Sequence, residues 1–212
     1  MARKNTPVIE HKHEIEIVQQ GNPVLRAKAR EITKEEFGTS ALLKTVADMK
    51  SALDSQVDGV ALAAPQIGLP LRIFVIAPKA FKIAKKEKLS REEKNNPDIK
   101  IAKMESDQLV YINPAFIKLS KKKKPMEEGC LSVRRFYGTV PRSDRATIEA
   151  YDEQGRKFTR GAGGLLAQIF QHETDHLNGT LFIDKADTLQ EVTREEYDKI
   201  QIELAEENKQ YE

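Results

Sequence analysis

Two histidines four residues apart, His172 and His176, constrain this chain more than any other feature of its sequence. The apolar spacing around them predicts a helix over residues 165–177, ended by Asn-Gly. Residues four apart lie one above the other on a helical face, so both imidazole rings can reach one metal ion. Ile169 falls on the same stripe, which places the site against the core, and Glu173 beside it can contact a water on the ion. The alternative is two core-edge histidines beside an incidental glutamate.

A third ligand decides which class of metal site this is. The common zinc peptidases carry a further histidine or glutamate downstream, but no histidine follows His176. His11 and His13 lie near the N-terminus. Upstream, residues 128–132 (EGCLS) contain Cys130, the only cysteine in the chain, which therefore has no internal disulfide partner. One thiolate and two imidazoles leave the fourth position of a tetrahedral site open, as is typical of a catalytic metal.

The remaining pattern predicts an α+β fold. Strands and helices follow each other without the regular alternation of βαβ units. We therefore expect small antiparallel or mixed β-sheets packed around the central metal-binding helix, with one helix on the N-terminal side and one at the C-terminus. The predicted strands are residues 15–18, 71–77, 109–113, 146–151 and 156–159, and the two further helices are about 40–56 and 193–212.

The expected organisation is a single catalytic domain over residues 1–212, a length that suits one domain. The apolar stretch 60–67 is interrupted by a proline and is predicted to be extended and buried. Residues 78–107 are rich in Lys and Glu and are predicted to form an exposed charged insertion, with a short helix at 90–94.

Three segments, in this order, resemble the signature of the peptide deformylase family. They are residues 59–66 (GVALAAPQ), 128–132 (EGCLS) and 171–176 (QHETDH). The resemblance covers a core of about residues 15–184, and the N-terminus, the charged insertion and the C-terminal helix fall outside it. It implies a metal-dependent hydrolase that removes the N-formyl group from the initiator formyl-methionine of nascent proteins and releases formate.

The resemblance also implies a role for each site residue. The implied metal ligands are Cys130, His172 and His176. One divalent ion per chain is expected, Fe²⁺ by resemblance, with Zn²⁺ and Ni²⁺ as alternatives that the same ligands accept. The ion lowers the pKa of a bound water towards about 7. Glu173 takes a proton from that water and passes it to the leaving amine, while the side-chain amide of Gln66 and the backbone N–H of Leu131 stabilise the oxyanion.

The substrate peptide is expected to add as a strand along Val60 and Ala61, a mode that reads backbone rather than side chains. Gly129 is also assigned to substrate binding, and Ile169 forms a wall of the methionine pocket or belongs to the ordinary core. Ala61 stands where the family usually has glycine, so its methyl group is expected to crowd the peptide unless it points into the core. Residues 134–137 lack the proline usual after the cysteine motif, which is expected to alter the rim of the cleft.

Three charged residues are predicted to support the ligands. Asp175 is expected to orient a ligand, with a solvated helix position as the alternative. Glu128 and Arg142 are expected to form an ion pair that holds the cysteine loop, unless both are plain surface charges.

Hydropathy and charge limit the partners. The chain has no apolar run of membrane-span length, and its N-terminus lacks the hydrophobic core of a signal peptide. The sequence therefore predicts a cytoplasmic protein with no membrane partner, and no DNA partner is expected. The basic region 79–124 is a candidate contact with ribosomal RNA, although such charge runs are usually solvated surface.

Two other functions stay open. A metallopeptidase or another amidase could use the same ligands, although a cysteine ligand together with Gln66 fits a small formyl carbonyl better than an internal peptide bond. A catalytically silent peptide-binding relative would be expected to lose Glu173 or a ligand, and the sequence retains them all.

Overall fold

The computed structural model describes residues 15–93 and 109–209, with the backbone alone for 87–93. Two antiparallel sheets surround one helix. The strands are β1 (Ala61–Ala63), β2 (Ile73–Ile76), β3 (Val110–Leu119), β4 (Lys123–Cys130), β5 (Val133–Ser143), β6 (Arg145–Tyr151), β7 (Lys157–Gly163) and β8 (Thr188–Glu191). The helices are α1 (Ser40–Asp54), α2 (Pro78–Glu93), α3 (Leu165–Leu177) and α4 (Arg194–Asn208), with short 3₁₀ helices at Pro23–Arg26, Ala64–Ile67 and Phe182–Asp184.

Helix α3 lies at the centre of the fold. The first sheet has the order β1-β2-β3-β6-β7 and the second β4-β5-β8, and α3 packs against strands of both. Phe74 of β2 stacks on Tyr111 of β3 with ring centroids 4.6 Å apart, and Phe170 of α3 lies 5.3 Å from Tyr111. These three rings are fully buried, so they fix α3 on the first sheet. The predicted α+β fold around a central helix is confirmed.

Strand β1 is short because of its sequence. Among the described residues it pairs with β2 only, so its other edge is open. Pro65 cannot donate a backbone hydrogen bond, and the chain turns at Ala64–Ile67 into a 3₁₀ helix ended by Gly68 with a φ of +81°. The prediction of one extended segment over 60–67 is therefore right only for its first half.

The N-terminal segment contains no strand, contrary to the prediction for residues 15–18. It is extended but makes isolated backbone hydrogen bonds rather than a ladder. The Val18 N–H donates to Gln66 O at 2.9 Å, and the Gln20 N–H donates to Ser132 O at 2.8 Å. This segment thus connects the backbone at Gln66 with the backbone at Ser132 instead of joining a sheet.

Helix α2 is much longer than the short helix predicted at 90–94. It begins at Pro78, a residue well suited to a first helical turn, and its first turns bury Ala80 and Phe81 in the core. The charged segment is therefore anchored in the core at its start. The part of the predicted insertion after residue 93, up to 107, lies outside the described residues.

The C-terminal helix α4 begins where the sequence predicts. The Thr193 hydroxyl accepts from the Glu196 N–H at 3.2 Å, and the Glu196 carboxylate accepts from the Thr193 N–H at 2.8 Å. This reciprocal capping box satisfies two backbone donors at the start of the helix. Within the described parts of the chain, no helix combines the length and apolar character that crossing a membrane requires.

Candidate active site

Cys130, His172 and His176 meet at one point in the molecule. Cys130 is the last residue of β4, and the two histidines lie on successive turns of α3. The Cys130 sulfur and one nitrogen of each ring all lie within 4.8 Å of one another. The distance from Cys130 Sγ to His176 Nε2 is 3.2 Å. The structure thus brings the three predicted ligands together from two elements that are distant in sequence.

The donor set fits a small divalent ion. Bonds of about 2.3 Å to sulfur and about 2.0 Å to nitrogen allow these two ligand atoms to lie at most about 4.3 Å apart, and the separation of 3.2 Å between Cys130 Sγ and His176 Nε2 is inside that limit. Burial holds the pKa of His176 well below its usual value. For His172, burial is outweighed by the contacts with Cys130 and Glu128, which raise its pKa above the usual value. Gln66 Nε2 and the Ser132 N–H approach Cys130 Sγ at 3.5 and 3.4 Å, so both donors point at the sulfur.

Glu173 lies beside these ligands with an unused oxygen. Its side chain is buried, and Oε2 has no hydrogen-bond partner among the residues that the structure describes. Burial raises the pKa of Glu173 to about 7. A carboxyl group that titrates near neutral pH can both accept and return a proton, so the geometry suits the predicted acid–base role.

Gln66 turns its amide nitrogen towards the ligands. The turn after β1 lets its Oε1 accept from the Ala63 N–H at 2.8 Å. Its Nε2 donates to Ser132 Oγ at 3.3 Å and to the Cys130 sulfur. Because the backbone holds Oε1, the two N–H donors face the site rather than the core. An oxyanion donor needs this orientation.

A buried network of charges supports the ligand helix. Arg142 donates to both oxygens of Glu128 at 2.7 and 2.8 Å, and both side chains are almost fully buried. Glu128 also lies 2.9 Å from His172 Nδ1. Burial alone would raise the pKa of Glu128, but Arg142 and His172 outweigh it and lower the pKa to about 2. The predicted ion pair of Glu128 and Arg142 therefore exists, and it is no surface pair.

Asp175 is placed differently from the prediction that it orients a ligand. Its carboxylate accepts from Arg142 at 2.6 Å and from Lys185 at 2.5 Å. The carboxylate that contacts a ligand histidine is Glu128, because β4 brings it against the ring of His172. Among the described residues, Asp175 is connected to His172 through Arg142 and Glu128.

Arg142→Met should destabilise the protein by about 3–5 kcal/mol, because it leaves the buried Glu128 carboxylate without its counter-charge. Urea unfolding of the metal-free protein measures this change. Lys44→Met is the matched control, since Lys44 forms an exposed pair with Asp48 and should change stability by less than about 1 kcal/mol. Equal effects of the two variants would contradict the buried ion pair.

A cleft of about 270 Å³ opens onto the ligands. Its lining includes the predicted substrate-binding residues Val60, Ala61, Gly129 and Ile169, together with Leu131. The open edge of β1 lies along this cleft, as strand addition requires. Gly129 has a steric reason to be glycine, since a Cβ there would lie 3.0 Å from the ring of Tyr137.

Comparison with known proteins decides which family this site belongs to. A family model described as polypeptide deformylase matches residues 15–192. The chain belongs to the peptide deformylase family. The resemblance predicted from three motifs is confirmed, and so is the prediction of a hydrolytic enzyme.

Relatives of this chain occur in plants and bacteria, among other organisms. The peptide deformylase 1A, chloroplastic/mitochondrial, of Arabidopsis thaliana is 40% identical over 172 residues, which span 80% of this chain and 60% of that protein. The peptide deformylase of Flavobacterium psychrophilum is 37% identical over 169 residues, 80% of each chain. A class I type b peptide deformylase from Acinetobacter baumannii, with Met-Ala-Ser bound, has 26% identity and a TM-score of 0.65, covering 81% of this chain and 97% of that one.

Several residues of the deformylase cleft escaped the sequence analysis. Ser132 is fully buried and contacts both Gln66 and Cys130. On α3, Leu165 and Gln168 line the cleft two turns and one turn before His172. Their spacing from His172, at i−7 and i−4, was readable once α3 was predicted to face the site. The residues of α4 that line the cleft, considered below, had a similar helical spacing.

Ala61 lies with its side chain in the core, where it packs in the cluster that contains Phe74 and Ile169. This burial favours the alternative, a methyl group in the core, over the expectation that the methyl group crowds the substrate. Ala61→Gly should lower stability by roughly 0.5–1 kcal/mol or more, because glycine costs backbone entropy in a strand and leaves a small void. The KM for formyl-Met peptides should hardly change. A lowered KM with an unchanged melting temperature would restore the crowding hypothesis.

Proposed function

We propose that the chain hydrolyses the formyl amide of formyl-Met peptides with a single divalent ion held by Cys130, His172 and His176. The observation that carries this proposal is the convergence of these three ligands beside a cleft lined by Glu173, whose buried Oε2 has no hydrogen-bond partner among the described residues. The reaction consumes one water, breaks the bond between the formyl carbon and the methionine nitrogen, and yields formate and a free amine.

The proposed ion is Fe²⁺, with Zn²⁺ or Ni²⁺ able to occupy the same ligands. A divalent ion bound there supplies Lewis-acid chemistry, which makes a water nucleophilic at neutral pH. Glu128 keeps the His172 ring oriented, since it holds the nitrogen Nδ1 and leaves Nε2 for the ion. A thiolate and two neutral imidazoles balance half of the ionic charge, which leaves the site electrophilic.

Glu173 is the proposed proton carrier. Its buried carboxylate accepts a proton from the attacking water and donates it to the methionine nitrogen as the C–N bond breaks. A pKa of about 7 suits both halves of this transfer. The donors proposed for the oxyanion are the Gln66 amide, held by the Ala63 N–H, and the backbone N–H of Leu131 next to Cys130.

The proposed substrate is an extended N-formylmethionyl peptide on the open edge of β1, along Val60 and Ala61. Gly129 provides the opposite rim and Ile169 a wall for the methionine side chain. Met-Ala-Ser, which the Acinetobacter baumannii relative holds, is the peptide that remains when formyl-Met-Ala-Ser loses its formyl group. This supports nascent chains as the substrate class.

The described chain is proposed to act as one catalytic domain in the cytoplasm, where formyl-methionine begins bacterial proteins. An organelle is the alternative, because the Arabidopsis relative carries a chloroplastic and mitochondrial name. The exposed lysines 121–123, within the basic region 79–124, are the proposed contact with ribosomal RNA. Cosedimentation with ribosomes that persists unchanged in high salt, or that never occurs, would contradict this contact.

The experiment that tests the proposed function offers the enzyme three versions of one peptide. Formyl-Met-Ala-Ser should yield formate and Met-Ala-Ser in equal amounts. Acetyl-Met-Ala-Ser should react far more slowly, because the extra methyl group must fit at the reacting carbon. Free Met-Ala-Ser should stay intact. Cleavage of the Met–Ala bond would indicate a metallopeptidase, and no reaction with any peptide would indicate a silent relative.

A further inference from the structure

Helix α4 forms the far wall of the catalytic cleft. Tyr197, Ile200 and Leu204 line the same cleft as Cys130 and His172. They are spaced three and four residues apart, so they lie on one helical face. That face is partly buried, whereas Ile202 on the other side of the helix is 62% exposed. The helix therefore presents an apolar stripe to the cleft, although it lies beyond the segment that the family model matches.

A polar clamp holds α4 against the cleft. Arg134 of β5 donates to both oxygens of Asp58, at 3.0 and 2.8 Å, and to the Tyr197 hydroxyl at 2.6 Å. Gln201 Nε2 donates to the same Asp58 carboxylate at 3.1 Å. Further along, Asn208 Nδ2 donates to the Val57 carbonyl at 2.7 Å. Because residues 57 and 58 lead directly into β1, the clamp fixes α4 relative to the strand that edges the cleft.

The cations at this end of the cleft are already matched by acids. Arg134 is paired with Asp58, and Arg135 is paired with Glu191. Both pairs are formed within the protein, so neither guanidinium needs an acidic ligand. The apolar side chains that α4 contributes to the lining of the cleft are Ile200 and Leu204. Such a surface discriminates in favour of apolar side chains, because a polar side chain placed on it would lose its water without gaining a hydrogen bond.

We propose that Ile200 and Leu204 of α4 form a specificity wall that selects an apolar side chain shortly after the formyl-methionine. This inference rests on the proposed deformylase function and on the strand-like binding of the peptide. Successive side chains of an extended peptide point to opposite sides. Only one of the two positions that follow methionine therefore faces α4, and the preference for apolar residues is confined to that position.

The test uses formyl-Met tripeptides that carry either leucine or asparagine at the second or the third position. Asparagine has a shape similar to that of leucine but a polar end. Formate release should give a kcat/KM about tenfold or more higher for leucine at one of the two positions and a ratio near one at the other. The double variant Ile200→Ala/Leu204→Ala should bring the higher ratio close to one. Alanine keeps the helix, so the wall alone is removed.

Two further variants separate specificity from structure. Ile202→Ala is the matched control on the exposed side of α4 and should keep the wild-type ratio. Leu204→Met preserves an apolar side chain and should also keep the leucine preference. An equal loss of activity towards all peptides in the double variant would indicate a structural role and contradict the proposed specificity wall. A leucine preference that survives the double variant would overturn it as well. Failure to release formate from any peptide would instead refute the proposed function.

Discussion

Cys130→Ser should give a folded protein that no longer holds its metal ion and has lost nearly all turnover. The thiolate is the softest ligand of the site and the only anionic one, and a serine hydroxyl would have to deprotonate to replace it. Loss of an outer partner of a ligand typically lowers metal affinity by about 10–100-fold, so loss of the ligand itself should exceed that. Metal analysis after gel filtration measures the occupancy, and circular dichroism confirms the fold.

A different result for the Cys130 variant would contradict its role as a ligand. Cys130 is the only cysteine of the chain, so thiol loss elsewhere cannot confuse the result. Full metal occupancy together with undiminished formate release in Cys130→Ser would exclude Cys130 as a ligand. The third ligand would then have to be another residue.

Glu173→Gln should retain the metal and bind the peptide while formate release falls by about 10²–10⁴-fold, the usual effect of removing a positioned proton carrier. Glutamine has nearly the same shape, so the change removes the ionisable group and little else. The loss should appear in kcat and in kcat/KM alike, because proton transfer stabilises the transition state rather than the bound substrate. Steady-state formate release with a metal assay on the same sample measures both quantities.

Glu195→Gln provides the control for this substitution. Glu195 is exposed in the first turn of α4, and the same chemical change there should leave turnover near the wild-type value. Loss of the metal in Glu173→Gln would show that Glu173 ligates or supports the ion. Turnover close to wild type would assign proton transfer to another group.

The sequence predicted the parts of the site that depend on local geometry. His172 and His176 share a face in any α-helix, so their convergence needed only the correct prediction of α3. The position of Cys130 beside them depends on how β4 packs against α3, and nothing in the local spacing determines that contact. The resemblance to the three family motifs predicted that Cys130 lies beside the two histidines. The contact of Glu128 with His172, across 44 residues of sequence, was missed for the same reason.

One error and one omission came from judging segments by their charge. Residues 78–93 are rich in lysine, yet Ala80, Phe81 and Ala84 have helical spacing and enter or border the core. Alanine contributes little to an apolar stripe, so the pattern was weak. In the same way, the acidic composition of α4 concealed the face that lines the cleft. In both helices the spacing of a few apolar residues was more informative than the overall charge.

The central claim is that formate release depends on one metal ion held at the cysteine and the two histidines. The most direct test removes the ion with a chelator under anaerobic conditions, returns Fe²⁺ in steps, and measures bound metal and the initial rate of formate release from formyl-Met-Ala-Ser on the same samples. The rate should rise in proportion to bound metal and level off at one ion per chain, and the stripped protein should release almost no formate. Formate release that persists in the stripped protein, or that stays absent at full occupancy, would contradict the claim.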